Sequence, residues 1–101
     1  MKELNKEYIK TTLGEEKLWK VGEADSFSFN GWELILEKEE EKYKPFTYSI
    51  VGVKDFKTHK SYINRRYLSM EDAFLHIINN FNENARIDKK YNSINDFIIS
   101  E

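Results

Sequence analysis

Hydrophobic residues recur at helical spacing in three segments of the chain. Residues 2–13 carry one such stripe with charged residues on the other faces, and Gly14 follows where a left-handed C-cap favours glycine. A longer stripe follows Ser69, which predicts a helix with a serine N-cap that ends near residue 83. Ser93 repeats the capping pattern before a short last helix. The apolar positions are Leu4, Tyr8, Ile9 and Leu13; Met70, Ala73, Phe74, Ile77, Ile78 and Phe81; and Ile94, Phe97 and Ile98.

Between these helical segments the apolar period shortens to two, which is typical of half-buried β-strands. Asn30-Gly31 predicts a turn or bulge after one such strand. The charged run 37–42 is predicted to end a strand and continue as an exposed loop, because it is too charged to bury. The strands on either side of that run are predicted to pair as an antiparallel hairpin. The alternating segments are 19–21, 27–29, 32–37, 46–51 and 61–67.

These elements predict one α+β domain over residues 1–101. The expected order is α-β-β-β-β-α-α, with helices packed on one face of a small antiparallel sheet of three to four strands. A length of 101 residues suits a single hydrophobic core. A content of 40% hydrophobic and 15% aromatic residues argues against a disordered chain.

Several classes of chemistry lack the residues they need. The absence of cysteine excludes disulfides, thiolate metal sites and thiol nucleophiles. The chain has no glycine-rich phosphate loop, nucleophile elbow or HExxH motif, and neither His59 nor His76 lies in a metal-ligand or Ser-His-Asp pattern. We therefore predict no enzymatic activity and no cofactor or metal. Without a long apolar run or a signal peptide, we expect a cytoplasmic protein that does not associate with membranes.

The formal net charge of −2 conceals two oppositely charged segments. Residues 33–41 contain five glutamates and one lysine, whereas residues 54–66 contain five basic residues and one aspartate. Each segment therefore carries a local charge of magnitude four, and we predict that both take part in binding. The candidate acidic partner-binding residues are Glu37, Glu39, Glu40 and Glu41. The candidate basic and aromatic residues, for a protein or nucleic acid, are Lys54, Lys57, Lys60, Tyr62, Arg65 and Arg66.

Each charged segment has two possible roles. Basic residues interleaved with aromatic ones suit single-stranded nucleic acid, since phosphates take the charge and bases stack on the rings. The same residues are also expected of a solvated loop whose aromatic side chains cover the core. Clustered carboxylates can replace phosphates against an arginine-rich groove, or they can keep a hairpin tip soluble.

In outline, a helix, an antiparallel sheet and a closing helix resemble the double-stranded RNA-binding domain. That family places lysines at the start of the closing helix, where they contact phosphates. Here the corresponding turn, residues 69–72, is acidic. The resemblance is therefore limited to topology, and the sequence argues against duplex RNA binding.

The segment 69–84 and the overall composition, which is rich in lysine, glutamate, asparagine and isoleucine, are similar in style to small accessory proteins of phages and mobile elements. Anti-CRISPR proteins are among these. The resemblance implies a non-enzymatic protein-binding module that inhibits a host defence complex by surface occlusion, with a protein or ribonucleoprotein as its partner. The alternative is a single-stranded nucleic-acid-binding domain that uses residues 54–67. A homodimer formed through aromatic residues is a third possibility, and the sequence leaves the oligomeric state open.

Overall fold

The computed structural model describes residues 2–56, 59–81 and 90–100, without the side chains of residues 54–63. Its elements form an α+β domain in the predicted order, so the predicted fold class is confirmed. A 3₁₀ turn, Glu16–Leu18, follows the first helix. The helices are α1 (Lys6–Gly14), α2 (Met70–Asn80) and α3 (Ile94–Ile99), and the strands are β1 (Ala24–Phe29), β2 (Trp32–Glu39), β3 (Thr47–Phe56) and β4 (His59–Tyr67).

The four strands form an antiparallel sheet in the order β1-β2-β3-β4. Asn30 and Gly31 connect β1 to β2 with φ angles of 49° and 83°, as a tight hairpin turn requires. Residues 2–4 run along the outer edge of β1, where the Leu4 amide donates to the Ser28 carbonyl at 2.8 Å. This pairing covers one edge of the sheet with backbone of the same chain.

Strand alternation sends one row of apolar side chains towards the helices. Phe27 of β1, Leu34 and Leu36 of β2 and Ile50 of β3 are almost completely buried on this side. The predicted stripe of α2 packs against them, and all six of its members are buried. The hydrophobic core therefore lies between one face of the sheet and the three helices, as predicted.

The serine caps predicted for α2 and α3 are confirmed. Ser69 Oγ accepts a hydrogen bond from the Asp72 amide at 3.1 Å, and Ser93 Oγ accepts one from the Asp96 amide at 3.2 Å. Helix α2 ends at Asn80, three residues earlier than predicted. These caps satisfy backbone donors that the first turn of a helix leaves unpaired.

The chain before β1 differs from the prediction. Helix α1 begins at Lys6 after an Asn5 cap, and Gly14 lies inside the helix instead of forming a left-handed C-cap. No strand forms over 19–21. The preceding 3₁₀ turn instead brings the Glu16 carboxylate to the Met70 amide at the start of α2, at 3.4 Å. Gly22, with a φ of 96°, then turns the chain into β1, and its amide donates to the Lys38 carbonyl of β2 at 2.7 Å.

Lys38 contradicts the prediction that the charged run 37–42 stays out of the core. Its side chain lies on the helix side of the sheet and is only 8% exposed. Lys38 Nζ donates to the Trp19 carbonyl at 2.9 Å and lies 4.0 Å from the ring centroid of Phe46. A carbonyl oxygen and the negative face of an aromatic ring both stabilise an ammonium group, which explains why this lysine is buried.

Candidate functional site

The side of the sheet opposite the helices has no described helix packed on it, and we call it the open face. Its centre is apolar, because Ile35 of β2 pairs with Val51 of β3 and Val53 follows two residues later. Ile35 is 46% exposed. Val51 and Val53 are half-buried, and a partly exposed aliphatic cluster in the middle of a sheet can serve as a contact surface for another molecule.

A groove of about 310 Å³ runs across the apolar part of the open face. Ser26 of β1 and Glu33 of β2 lie beside Ile35, Val51 and Val53 in its lining. The groove is comparable in size to the smaller binding pockets of proteins. None of the predicted contact residues with described side chains lines this groove. A sequence signal was present, however, because Ile35 interrupts the polar row formed by Glu33 and Glu37.

The other end of the open face is polar and internally bonded. Ser49 Oγ, which is almost completely buried, donates to Glu39 Oε1 at 3.0 Å, and Arg66 Nε lies 3.4 Å from Glu39 Oε2. These contacts join the three strands β2, β3 and β4. An ion pair this exposed contributes at most about 1 kcal/mol. Its main effect here is that the charges of Glu39 and Arg66, one acidic and one basic candidate for partner binding, neutralise each other.

The four acidic candidates do not form one exposed loop. Glu37 and Glu39 lie within β2 on the open face, and Glu40 is exposed just after the strand. Glu41 accepts a hydrogen bond from Thr47 Oγ1 at 3.4 Å. The carboxylates of Glu39 and Glu41 therefore bond to side chains within the sheet, whereas those of Glu37 and Glu40 remain for other contacts.

The basic candidates that the structure describes lie on opposite faces of β4. Arg65 pairs with Ile50 and is on the helix side, whereas Arg66 pairs with Ser49 and is on the open face. The two arginines therefore do not form a continuous patch. The side chains of Lys54, Lys60 and Tyr62 lie outside the described residues, although their backbones belong to β3 and β4. Lys57 lies wholly outside them.

A second cleft, of about 340 Å³, lies between α1 and β1. Tyr8 donates to Asp25 Oδ2 at 2.6 Å, and Lys2 Nζ lies 2.8 Å from the same oxygen. Burial alone would raise the pKa of Asp25, but the hydrogen bonds from Lys2 and Tyr8 outweigh it and hold the pKa below its usual value. Burial, together with Asp25, raises the pKa of Tyr8. These groups hold α1 against β1, so their interactions are structural.

His76 is packed among aromatic rings on the helix side. Its ring centroid lies 5.4 Å from that of Tyr67 and 5.6 Å from that of Phe81. Burial lowers the pKa of His76, and the nearby positive charges of Arg65 and Lys90 lower it further. The folded protein therefore favours the neutral imidazole.

We expect acidification below pH 6.5 to destabilise the protein through His76. The pKa is below its usual value of 6.5 in the folded state, so the unfolded chain takes up the proton first and stability falls with pH. Urea unfolding at several pH values between 7.5 and 5 measures this effect, and His76→Gln should flatten the pH dependence. If the free energy of unfolding of the variant falls as steeply with decreasing pH as that of the wild type, the effect does not come from His76. Asp25 does not interfere, because its stabilising contribution is lost only below about its usual pKa of 3.8.

Within residues 2–56, 59–81 and 90–100, no group of three or more histidine, aspartate or glutamate side chains is arranged to hold a metal ion. No helix in the same ranges is long and apolar enough to cross a membrane.

Comparisons with known proteins supply no relative for this chain. No protein-family model, curated protein or solved structure matches it.

Proposed function

We propose that this protein is a non-enzymatic module that binds another protein through its open face. The observation that carries the proposal is the exposed aliphatic groove around Ile35, at the centre of a sheet with described helices on only one side. Contiguous apolar surface rimmed by polar residues is characteristic of sites where macromolecules dock. Binding there would remove Ile35, Val51 and Val53 from water.

The charges around the groove favour a protein over nucleic acid. Glu33 and Glu37 flank Ile35 along β2, and carboxylates repel a phosphate backbone. Arg66 is the basic side chain described on this face, and it is already paired with Glu39. The single-stranded nucleic-acid alternative, through residues 54–67, therefore receives less support from the described side chains than protein binding does.

We further propose that binding acts by occlusion, as in small inhibitors of host complexes that phages and mobile elements carry. Two features support a role without catalysis. The hydroxyl of Tyr8 donates to the carboxylate of Asp25, and the half-buried ring of His76 packs against the rings of Tyr67 and Phe81. A domain of 101 residues with one docking face can block a partner's surface simply by covering it.

Capture from a nuclease-treated extract of the native host tests the proposal when variants are compared. We expect Ile35→Gln to weaken capture of the partner at least tenfold, because Ile35 lies at the centre of the proposed interface, where a few desolvated residues contribute about 1.4 kcal/mol or more each. Leu18→Gln is the matched control, since Leu18 is 74% exposed and lies in the 3₁₀ turn, away from the open face. The proposal fails if no captured protein distinguishes the two variants, or if capture disappears with nuclease.

A further inference from the structure

We infer that the partner contacts the open face with an amphipathic helix that carries lysine or arginine along one border of its apolar stripe. This inference rests on the proposed function and specifies the chemistry of the partner. It follows from the arrangement of charge, apolar surface and small side chains across β1, β2 and β3.

Among the described side chains of the open face, negative charge is concentrated on the β1–β2 side. Glu33 and Glu37 have no ion-pair partner among the described side chains, and four residues of strand separate them by about 13 Å. Glu3 lies at the outer edge of β1, where its carboxylate accepts a hydrogen bond from Ser28 Oγ at 3.4 Å. On the β4 side, by contrast, Arg66 neutralises Glu39. To match the described side chains, a complementary partner must therefore bring positive charge to the β1–β2 side.

Apolar surface lies beside this acidic row. Val51 and Val53 form an aliphatic row along β3, and Ile35 extends it onto β2. Ser26 and Ser28 on β1 are small, so they leave space above the sheet for long side chains. The aliphatic stems of lysine or arginine can lie over these serines while their charged groups reach Glu33 and Glu37.

Two adjacent rows of different chemistry fit a helix better than an extended strand. A strand presents one row of side chains to a sheet, because alternate residues point away. An amphipathic helix presents a wide apolar stripe together with charged residues along its border. A helix packed here would also cover the second face of the sheet, which gives a layered arrangement common in α/β structures.

Designed helical peptides provide the probe for this inference. One peptide carries a leucine stripe bordered by lysine, and its counterpart has glutamate at the same border positions. We expect the lysine peptide to bind the wild-type protein at least tenfold more tightly, with an affinity that falls as salt rises. The double variant Glu33→Lys/Glu37→Lys should reverse this preference. Fluorescence anisotropy measures the affinities, and NMR shifts locate the binding site.

Glu7→Lys/Glu71→Lys is the matched control, because it changes the net charge by the same amount at exposed positions on α1 and α2. It should retain the preference for the lysine peptide. Equal binding of both peptides, or reversal by the control pair, overturns the inference. Absence of peptide binding while protein capture still depends on Ile35 also overturns it, and leaves the proposed function standing.

Discussion

Replacing Phe74 with alanine is expected to lower the free energy of unfolding by about 3–5 kcal/mol. Phe74 is fully buried in α2, and its ring centroid lies 6.3 Å from that of Phe27 in β1 and 6.2 Å from that of Tyr8 in α1. Truncation leaves a cavity where three elements meet, and those elements can only partly collapse around it. Urea unfolding monitored by tryptophan fluorescence measures the change.

Tyr43→Ala is the matched aromatic control. Tyr43 lies in the β2–β3 loop and is 84% exposed, so its removal should change the stability by no more than about 0.5 kcal/mol. If Phe74→Ala and Tyr43→Ala lower the free energy of unfolding by similar amounts, α2 does not pack on the sheet as described.

Lys38→Glu is expected to destabilise the fold by roughly 3 kcal/mol or more. The substitution places a carboxylate against the Trp19 carbonyl oxygen and near the ring face of Phe46, where Lys38 Nζ now lies. Both groups attract a cation and repel an anion, and burial denies the new charge its hydration. Thermal and urea unfolding both report the loss.

Lys42→Glu makes the same charge change four residues away. Lys42 is exposed in the β2–β3 loop, so this variant should remain within about 0.5 kcal/mol of the wild type. Near-equal stabilities of the two variants would contradict the burial of Lys38. The comparison also separates a local effect at Trp19 from a general effect of net charge.

Local patterns predicted most of the elements. The stripe of α2 and its serine cap lie within a dozen residues, so spacing alone identified them. The alternation around Leu34 and Ile50 identified the central hairpin in the same way. The predicted strand over 19–21 was wrong. Trp19 and Val21 alternate with a lysine, and this local pattern favours a strand. Tertiary bonds, from Lys38 to the Trp19 carbonyl and from Gly22 to the Lys38 carbonyl, instead hold this segment as a turn.

The candidate site was harder to predict because it depends on which strands become neighbours. Glu39 and Arg66 are far apart in sequence, yet β3 brings them together across Ser49, and their charges cancel. Strand alternation likewise separates Arg65 from Arg66, although they are adjacent in the chain. The net charge of a sequence segment reveals neither the pairing of Glu39 with Arg66 nor the separation of the two arginines. The apolar groove arises from the register of Ile35 with Val51, which is a property of the sheet and not of either segment.

The central claim is that the open face is where a protein partner docks. Its most direct test is the ratio of partner affinities for Ile35→Gln and Leu18→Gln, measured after nuclease treatment and normalised to folded protein. We predict at least a tenfold loss for Ile35→Gln and no loss for Leu18→Gln. Equal affinities for the two variants would contradict the claim.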